Sequence, residues 1–320
     1  MAGKFLLCIA IFGISASACK TLTSDMLPNS GSTKGVTASE AGQSDAQVIK
    51  GMAFLKIPKG TMYLGANAVP AADAAREGKI ENHRVDIKED YFIQKTEVTR
   101  RQFKAAMGCY PEELHQTDSR CARSGELHNT CQPGVAEDDH PVACVSLADV
   151  QEFIKKLNGR LEGFYYELPG EDAWEYATRG GTSTLYHFGD NDFPLYEYAW
   201  FADNSGGKTH PVGQLKANPS GLHDVYGNVW EMTTAWTGDV STIWYRYFEN
   251  MKYEESDQSI PPQGLHEVIV RGGSLGNTAE CSRSAYRGST DPKKRSPVVG
   301  LRLIRSTNKP SPGTDAPLTP

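Results

Sequence analysis

At 320 residues, 39% hydrophobic and 22% charged, with a formal charge of −6, the chain is long enough to bury a sizeable core. It lacks the excess of charge that keeps a chain unfolded. Its 33 Lys and Arg are scattered, with no basic stripe and no aromatic-basic interleaving, so nucleic acid is excluded as an expected partner.

The chain opens Met-Ala-Gly-Lys, continues with an apolar run from Phe5 to Ile14, and reaches Ala16-Ser17-Ala18-Cys19. A short positive start, an apolar stretch and small residues at a cut site make a secretory signal, residues 1–18. The run is shorter than the roughly 20 apolar residues that span a bilayer. Two cleavages compete. Ala16-x-Ala18 suits ordinary signal peptidase and a soluble periplasmic or secreted product. Small residues directly before a cysteine also fit a lipobox, although Ala16 stands where Leu is usual. The second reading is preferred: Cys19 is lipidated and the protein is anchored by its acyl chains, each buried methylene adding ~0.8 kcal/mol. Lys20 is not the Asp of inner-membrane retention, so a bacterial outer membrane is expected. Residues 19–50 are rich in Ser, Thr, Gly, Ala and Asp and read as a flexible tether.

The folded part is expected over residues 51–306, followed by an irregular tail, 307–320. Ala53 to Gly65 places apolar residues on both sides of Pro58-Lys59-Gly60 and reads as a β-hairpin. Val85 to Lys95 reads as a second extended region. Thr99 suits an N-cap for a helix over Arg100 to Met107. Ser146 suits the cap of a longer helix in which Val150, Phe153, Ile154 and Leu157 share a face. Pro169-Gly170 precedes a third helix, Glu171 to Thr178. Beyond Gly180, Gly, Asn, Asp and aromatics dominate, and only Val268–Arg271 and Gly300–Ile304 read as strands. Long irregular stretches in a domain of this size call for disulfides or metal to fix them.

Past Cys8 and Cys19, five cysteines remain: Cys109, Cys121, Cys131, Cys144 and Cys281. Four cluster in one polar stretch, which suggests two disulfides in an oxidising compartment. Three pairings are open; proximity favours Cys109–Cys121 with Cys131–Cys144, leaving Cys281 over. The spacing is unlike a zinc site. The histidines lie far apart, show no HxxxH run, and are read mostly as loop or surface residues.

A series of segments then falls in order: Lys95-Thr-Glu-Val-Thr99, His140-Pro-Val-Ala-Cys-Val-Ser146, Glu167-Leu-Pro-Gly-Glu-Asp-Ala-Trp-Glu-Tyr-Ala-Thr-Arg-Gly-Gly181, His210-Pro-Val-Gly213, Gly221-Leu-His-Asp-Val-Tyr-Gly-Asn-Val-Trp-Glu231, Arg271-Gly-Gly-Ser274, Arg283-Ser-Ala-Tyr-Arg287 and Val299-Gly-Leu-Arg302. Together they resemble the formylglycine-generating enzyme (sulfatase-modifying factor) family over about residues 51–306. The resemblance implies an α+β, C-type-lectin-like fold with much irregular structure. It implies structural calcium on the side chains of Asp224 and Glu231 and the carbonyls of Gly227 and Val229, hard oxygen ligands that suit that ion. Capping of a turn by the same carboxylates is the alternative. A second family calcium site has Asn where Trp200 stands. Trp230, Arg271, Ser274 and Arg287 match residues beside the family's substrate cleft; core packing, ion pairing and turn closure are their alternatives. No catalytic residue is assigned.

Formylglycine generation uses two thiolates, which suit Cu(I), shortly after the Arg-Gly-Gly-Ser segment. Here only Cys281 follows, so copper is not expected. The chain is therefore read as a membrane-anchored binding or scaffold domain for a protein, peptide or glycan, or an enzyme of diverged activity. The alternative is a formylglycine-type oxidoreductase acting on a protein or secreted metabolite.

Overall fold

The computed structural model describes residues 49, 51–65, 83–115, 131, 137–160, 163–236 and 267–306. The export signal, Cys19, the tether apart from Ile49, Cys121 and the tail from residue 307 lie outside the described residues; Ile49 itself is buried.

Among the described residues, two helices start on side-chain caps, while the one after Gly170 starts without a side-chain capping bond. Helix α1 spans Arg100–Met107; the Thr99 hydroxyl accepts from Gln102 N, the Gln102 side chain accepts from Thr99 N, and Gly108 ends the helix at φ 86°. This reciprocal box satisfies two of the amides a helix start leaves over. Helix α2 spans Leu147–Arg160. Ser146 N donates to Asp149 Oδ2 at 2.9 Å, and Asp149 N donates back to Ser146 Oγ at 3.3 Å. Helix α3 spans Glu171–Arg179, one residue beyond expectation, and Gly180 closes it in the left-handed region. Phe103 of α1 stacks on Phe153 of α2 at 5.3 Å between centroids, at the centre of the larger apolar cluster. A second cluster gathers Ile93, Tyr186, Leu195, Phe201 and Tyr226.

Among the described residues, ten short strands make three sheets. The strands are β1 (Phe54–Ile57), β2 (Gly60–Leu64), β3 (His83–Ile87), β4 (Tyr91–Gln94), β5 (Tyr165–Glu167), β6 (Trp230–Trp236), β7 (Val268–Arg271), β8 (Arg287–Thr290), β9 (Val299–Gly300) and β10 (Ile304–Ser306). One sheet runs β1-β4-β10-β5, a pair joins β2 to β3, and a third sheet runs β8-β7-β6-β9. All pairings are antiparallel except β6 with β9.

Three expectations are corrected. The hairpin over Ala53–Gly65 is absent: β1 and β2 both form, but β1 pairs with β4 and β2 with β3. Long-range partners satisfy their edges, so the Pro58-Lys59 link joins two sheets. Val85 to Lys95 is likewise divided between β3 and β4, with Asp90 in the turn accepting from Lys59 N at 2.8 Å. Gly300 to Ile304 is two short strands in different sheets. The buried Leu301, Arg302 and Leu303 lie between them; the Leu301 carbonyl accepts from Val98 N and the Leu303 carbonyl from Gln94 N.

Cys131 is bonded to Cys144 with Cα atoms 5.7 Å apart. Cys131 Sγ lies 3.5 Å from the carbonyl of Arg295, and Cys144 N donates to Ser296 O. The same loop sends the Arg295 guanidinium onto the buried Asp149 at 2.8 Å. The disulfide thereby fixes the loop before α2 against the loop after β8. Cys109 is also disulfide-bonded; the expectation of Cys121 as its partner falls outside the described residues. Cys281 is free and half-buried.

Candidate functional site

The Asp224–Glu231 segment runs from a turn into the first residues of β6. Asp224 and Asn228 adopt positive φ, 54° and 55°. Gly227 is required: a Cβ there would lie 2.2 Å from the carbonyl oxygen of Trp200, a separation no side chain tolerates. Asn228 is wholly buried; its Oδ1 accepts from His210 N at 3.1 Å and its Nδ2 donates to Glu97 Oε2 at 2.7 Å.

A cluster of buried charge results. Glu231 accepts from Arg302 on both oxygens and from Trp174 Nε1 at 2.6 Å. Glu97 accepts from Val229 N at 3.0 Å. Asp224 Oδ2 accepts from Gly213 N at 2.6 Å, while its Oδ1 is buried with no hydrogen-bond partner. Burial pushes the Asp224 pKa up to about 6 and that of Glu97 well above the carboxylate range, with neighbouring carboxylates adding to the latter. Arg302 is the guanidinium facing all three carboxylates. Neither Glu97 nor Arg302 was singled out as a site residue, although both lie inside recognised sequence segments; their separation in sequence conceals the contact.

The expected calcium ligands fit a divalent cation on one count: Asp224 Oδ1 is a buried, orphaned hard acceptor. Glu231 counts the other way, because Arg302 and Trp174 already engage it. Trp200, in the place of the second site's Asn, stacks on His210 at 3.8 Å between ring centroids.

The four cleft candidates are brought to one region but are differently engaged. Arg271 is fully buried, donating to Glu175 Oε2 at 2.6 Å and to the carbonyls of Ser284 and Ala285. Arg287 holds Glu171 through two bonds, 2.8 and 2.6 Å. Arg179 completes the network on Glu175 at 2.7 Å. Burial raises the Glu171 pKa against the pull of Arg271 and Arg287; for Glu175 burial is outweighed, and Arg271 and Arg179 hold it below the usual value. Thus α3 is pinned to β7 and β8 by ion pairs. Ser274 Oγ donates to Asn277 Oδ1 at 2.5 Å, closing a turn. Trp230 is buried beside Gly288, where a Cβ would come within 3.2 Å of its ring, and it tilts against Tyr286. Cys281 and Tyr286 pack at the margin of the same core.

Among the described residues, the cysteines other than Cys281 are disulfide-bonded. That donor set does not supply two thiolates, so it does not fit a Cu(I) centre of the paired type. Among the described residues no group of three or more His, Cys, Asp and Glu is arranged to hold a metal. His187 lies in the turn between Tyr186 and Gly189, as a loop reading expects, but it does not face water. It is buried, stacked on Tyr226 at 5.3 Å and edge-on to Phe188 and Tyr198, with both ring nitrogens lacking partners.

The sulfatase-modifying factor enzyme 1-like domain matches residues 38–307. Serine/threonine-protein kinase pkn1 of Chlamydia caviae is 29% identical over 72% of this chain and 36% of its own length. The chain therefore spans about a third of those kinases. The formylglycine-generating enzyme of Mycobacterium tuberculosis is 39% identical, over 30% of this chain and 33% of that protein. Chaperone protein LppX of Paenibacillus barcinonensis is 27% identical over 68% and 80% of the two chains. Among solved structures, PvdO from Pseudomonas aeruginosa superposes with a TM-score of 0.60 at 23% identity, covering 79% of this chain and 94% of that one.

Proposed function

This chain belongs to the sulfatase-modifying factor enzyme 1-like family, and from that premise we propose that it is a non-catalytic binding or scaffold domain. The observation that carries the reading is the thiol inventory around the family's cleft. Cys281 stands alone as a free thiol among the described residues, and the cleft arginines Arg271 and Arg287 are committed to Glu175 and Glu171. The likeness to a chaperone over 80% of that protein's length supports a role in holding other molecules. A second reading, oxidoreduction of the formylglycine type, draws on the same free thiol following the Arg271-Gly-Gly-Ser274 turn. The deciding experiment loads the purified full chain with Cu(I), measures bound copper, and follows oxygen uptake with cysteine-containing peptides. The binding reading expects substoichiometric copper and no turnover; one copper per chain with peptide oxidation would reverse it.

We further propose calcium as a structural ion on Asp224, Gly227, Val229 and Glu231, and lipid anchoring at Cys19 after export. Calcium should raise the melting temperature of the wild-type chain and leave that of Asp224→Ala unmoved. Equal response of both proteins, or of neither, argues against the ion. Mass spectrometry of the N-terminal peptide from a bacterial host decides acylation of Cys19.

A further inference from the structure

The stretch from Gly180 to Gly207 contains no Lys or Arg and carries Asp190, Asp192, Glu197 and Asp203. A 3₁₀ turn, Phe193–Glu197, sits in its middle, anchored inward by the buried Leu195. The same turn holds Phe193 77% exposed and Tyr196 46% exposed, with their rings 6.4 Å apart and tilted. The turn is not loosely held. Tyr196 packs edge-on to the buried Phe201 at 5.0 Å and donates to Asp203 Oδ2 at 3.1 Å. Asn191 Oδ1 accepts from Phe193 N, and Asp190 Oδ1 accepts from Leu185 N. Asp192, at the head of the turn, makes no capping bond with its side chain. Glu197 is matched by Lys216. A firmly built turn thus keeps two large rings in water and surrounds them with exposed carboxylates.

We propose that this turn is a docking surface for a cationic stretch of a partner protein, in which an arginine stacks on Phe193 and Tyr196 and pairs with Asp192 and Asp203. Two rings alone cover too little area for an apolar partner to form a stable complex. An apolar partner would also strip water from the adjacent carboxylates without returning hydrogen bonds. A guanidinium answers both features, because its flat face stacks on aromatic rings while its edge pairs with carboxylates. Asp203 and Asp192 both act electrostatically on Tyr196, so the field over the rings favours a cation. A neutral glycan could stack on the rings but would leave that charge unused. The inference names the partner chemistry for the binding role proposed above and rests on it; the copper and oxygen measurements decide that role without the arginine peptide.

The test uses the full chain and a fluorescein-labelled Arg-Gly-Arg-Gly-Arg peptide, followed by anisotropy at low and physiological salt. Saturable binding is expected, weakening as salt rises. It should fall at least tenfold in Phe193→Ser/Tyr196→Ser, which changes no charge, and at least tenfold in Asp192→Asn/Asp203→Asn. Phe193→Ser alone, at a position facing water, gives the same reading if the double variant melts early. Absence of saturable binding overturns the proposal. So does equal binding by the aromatic variants, which marks general attraction between opposite charges. So does ring-dependent binding of maltoheptaose in place of the peptide.

Discussion

Arg271 and Glu175 meet at 2.6 Å with side chains 1% and 4% exposed, and Glu171, Arg179 and Arg287 extend the contact in both directions. Charges so far from water are stable only as a set, and removing one leaves its partners uncompensated. Arg271→Ala should cost about 3–5 kcal/mol, measured by urea unfolding. Arg271→Ala/Glu175→Ala should lose less than the two single losses added together. A single variant as stable as the parent would remove the network from the account of the fold. His187 acts through its neutrality. Burial among Phe188, Tyr198 and Tyr226 lowers its pKa to about 4, below the 6.5 of the free side chain. The unfolded chain therefore binds the proton more tightly. The contribution of His187 is full above pH 6.5 and is lost as pH falls from there through 4. By pH 5 the loss is on the order of 2 kcal/mol. His187→Phe should flatten that part of the stability profile, and an unchanged slope between pH 7 and pH 5 would count against this origin.

At the scale of elements, the helices were legible because their signals are local. Thr99 with Gln102, and Ser146 with Asp149, are boxes of four residues that name their own helix start. Thr99→Ala should cost about 1 kcal/mol through that box alone, visible as a lowered midpoint with an unchanged denaturant slope. Strands were legible as extended runs but not as pairs. The β1 and β2 segments look like two arms of a hairpin, yet their partners β4 and β3 lie beyond the reach of a local pattern. Strand β6 escaped notice because Trp230, Glu231, Met232 and Thr233 are all buried, so no alternation marks it. Gly300 shows how tightly such strands are fitted. A Cβ there would stand 2.2 Å from the Val142 carbonyl oxygen. Gly300→Ala should therefore separate the parallel β6–β9 edge from its neighbour, at a cost of several kcal/mol. Gly108 meets nothing within 4 Å, and Gly108→Asn should cost well under half as much.

Across the whole molecule, the order of sequence segments was enough to indicate the fold, because many spaced motifs constrain one architecture. The charge clusters were not readable in the same way: Glu97 to Val229 and Glu175 to Arg271 are contacts 132 and 96 residues apart. The Cys131–Cys144 bond closes a separation of 13 residues, and loop-closure entropy assigns it about 3 kcal/mol. Cys131→Ser/Cys144→Ser should lower the unfolding free energy by about that amount, and a reducing agent should destabilise the parent further because it also opens the bond at Cys109. The sheet ordered β1-β4-β10-β5 has one more consequence. Strands β1 and β10 run in the same direction with a single strand between them, about 10 Å apart. The chain thus enters this sheet beside Gln94 and leaves it past Phe92, towards the other end of β4. Strand β4 ties the first described strand to the last, and because β5 reaches the sheet only through β10, loss of β10 would bare one edge of β4 and detach β5 as well.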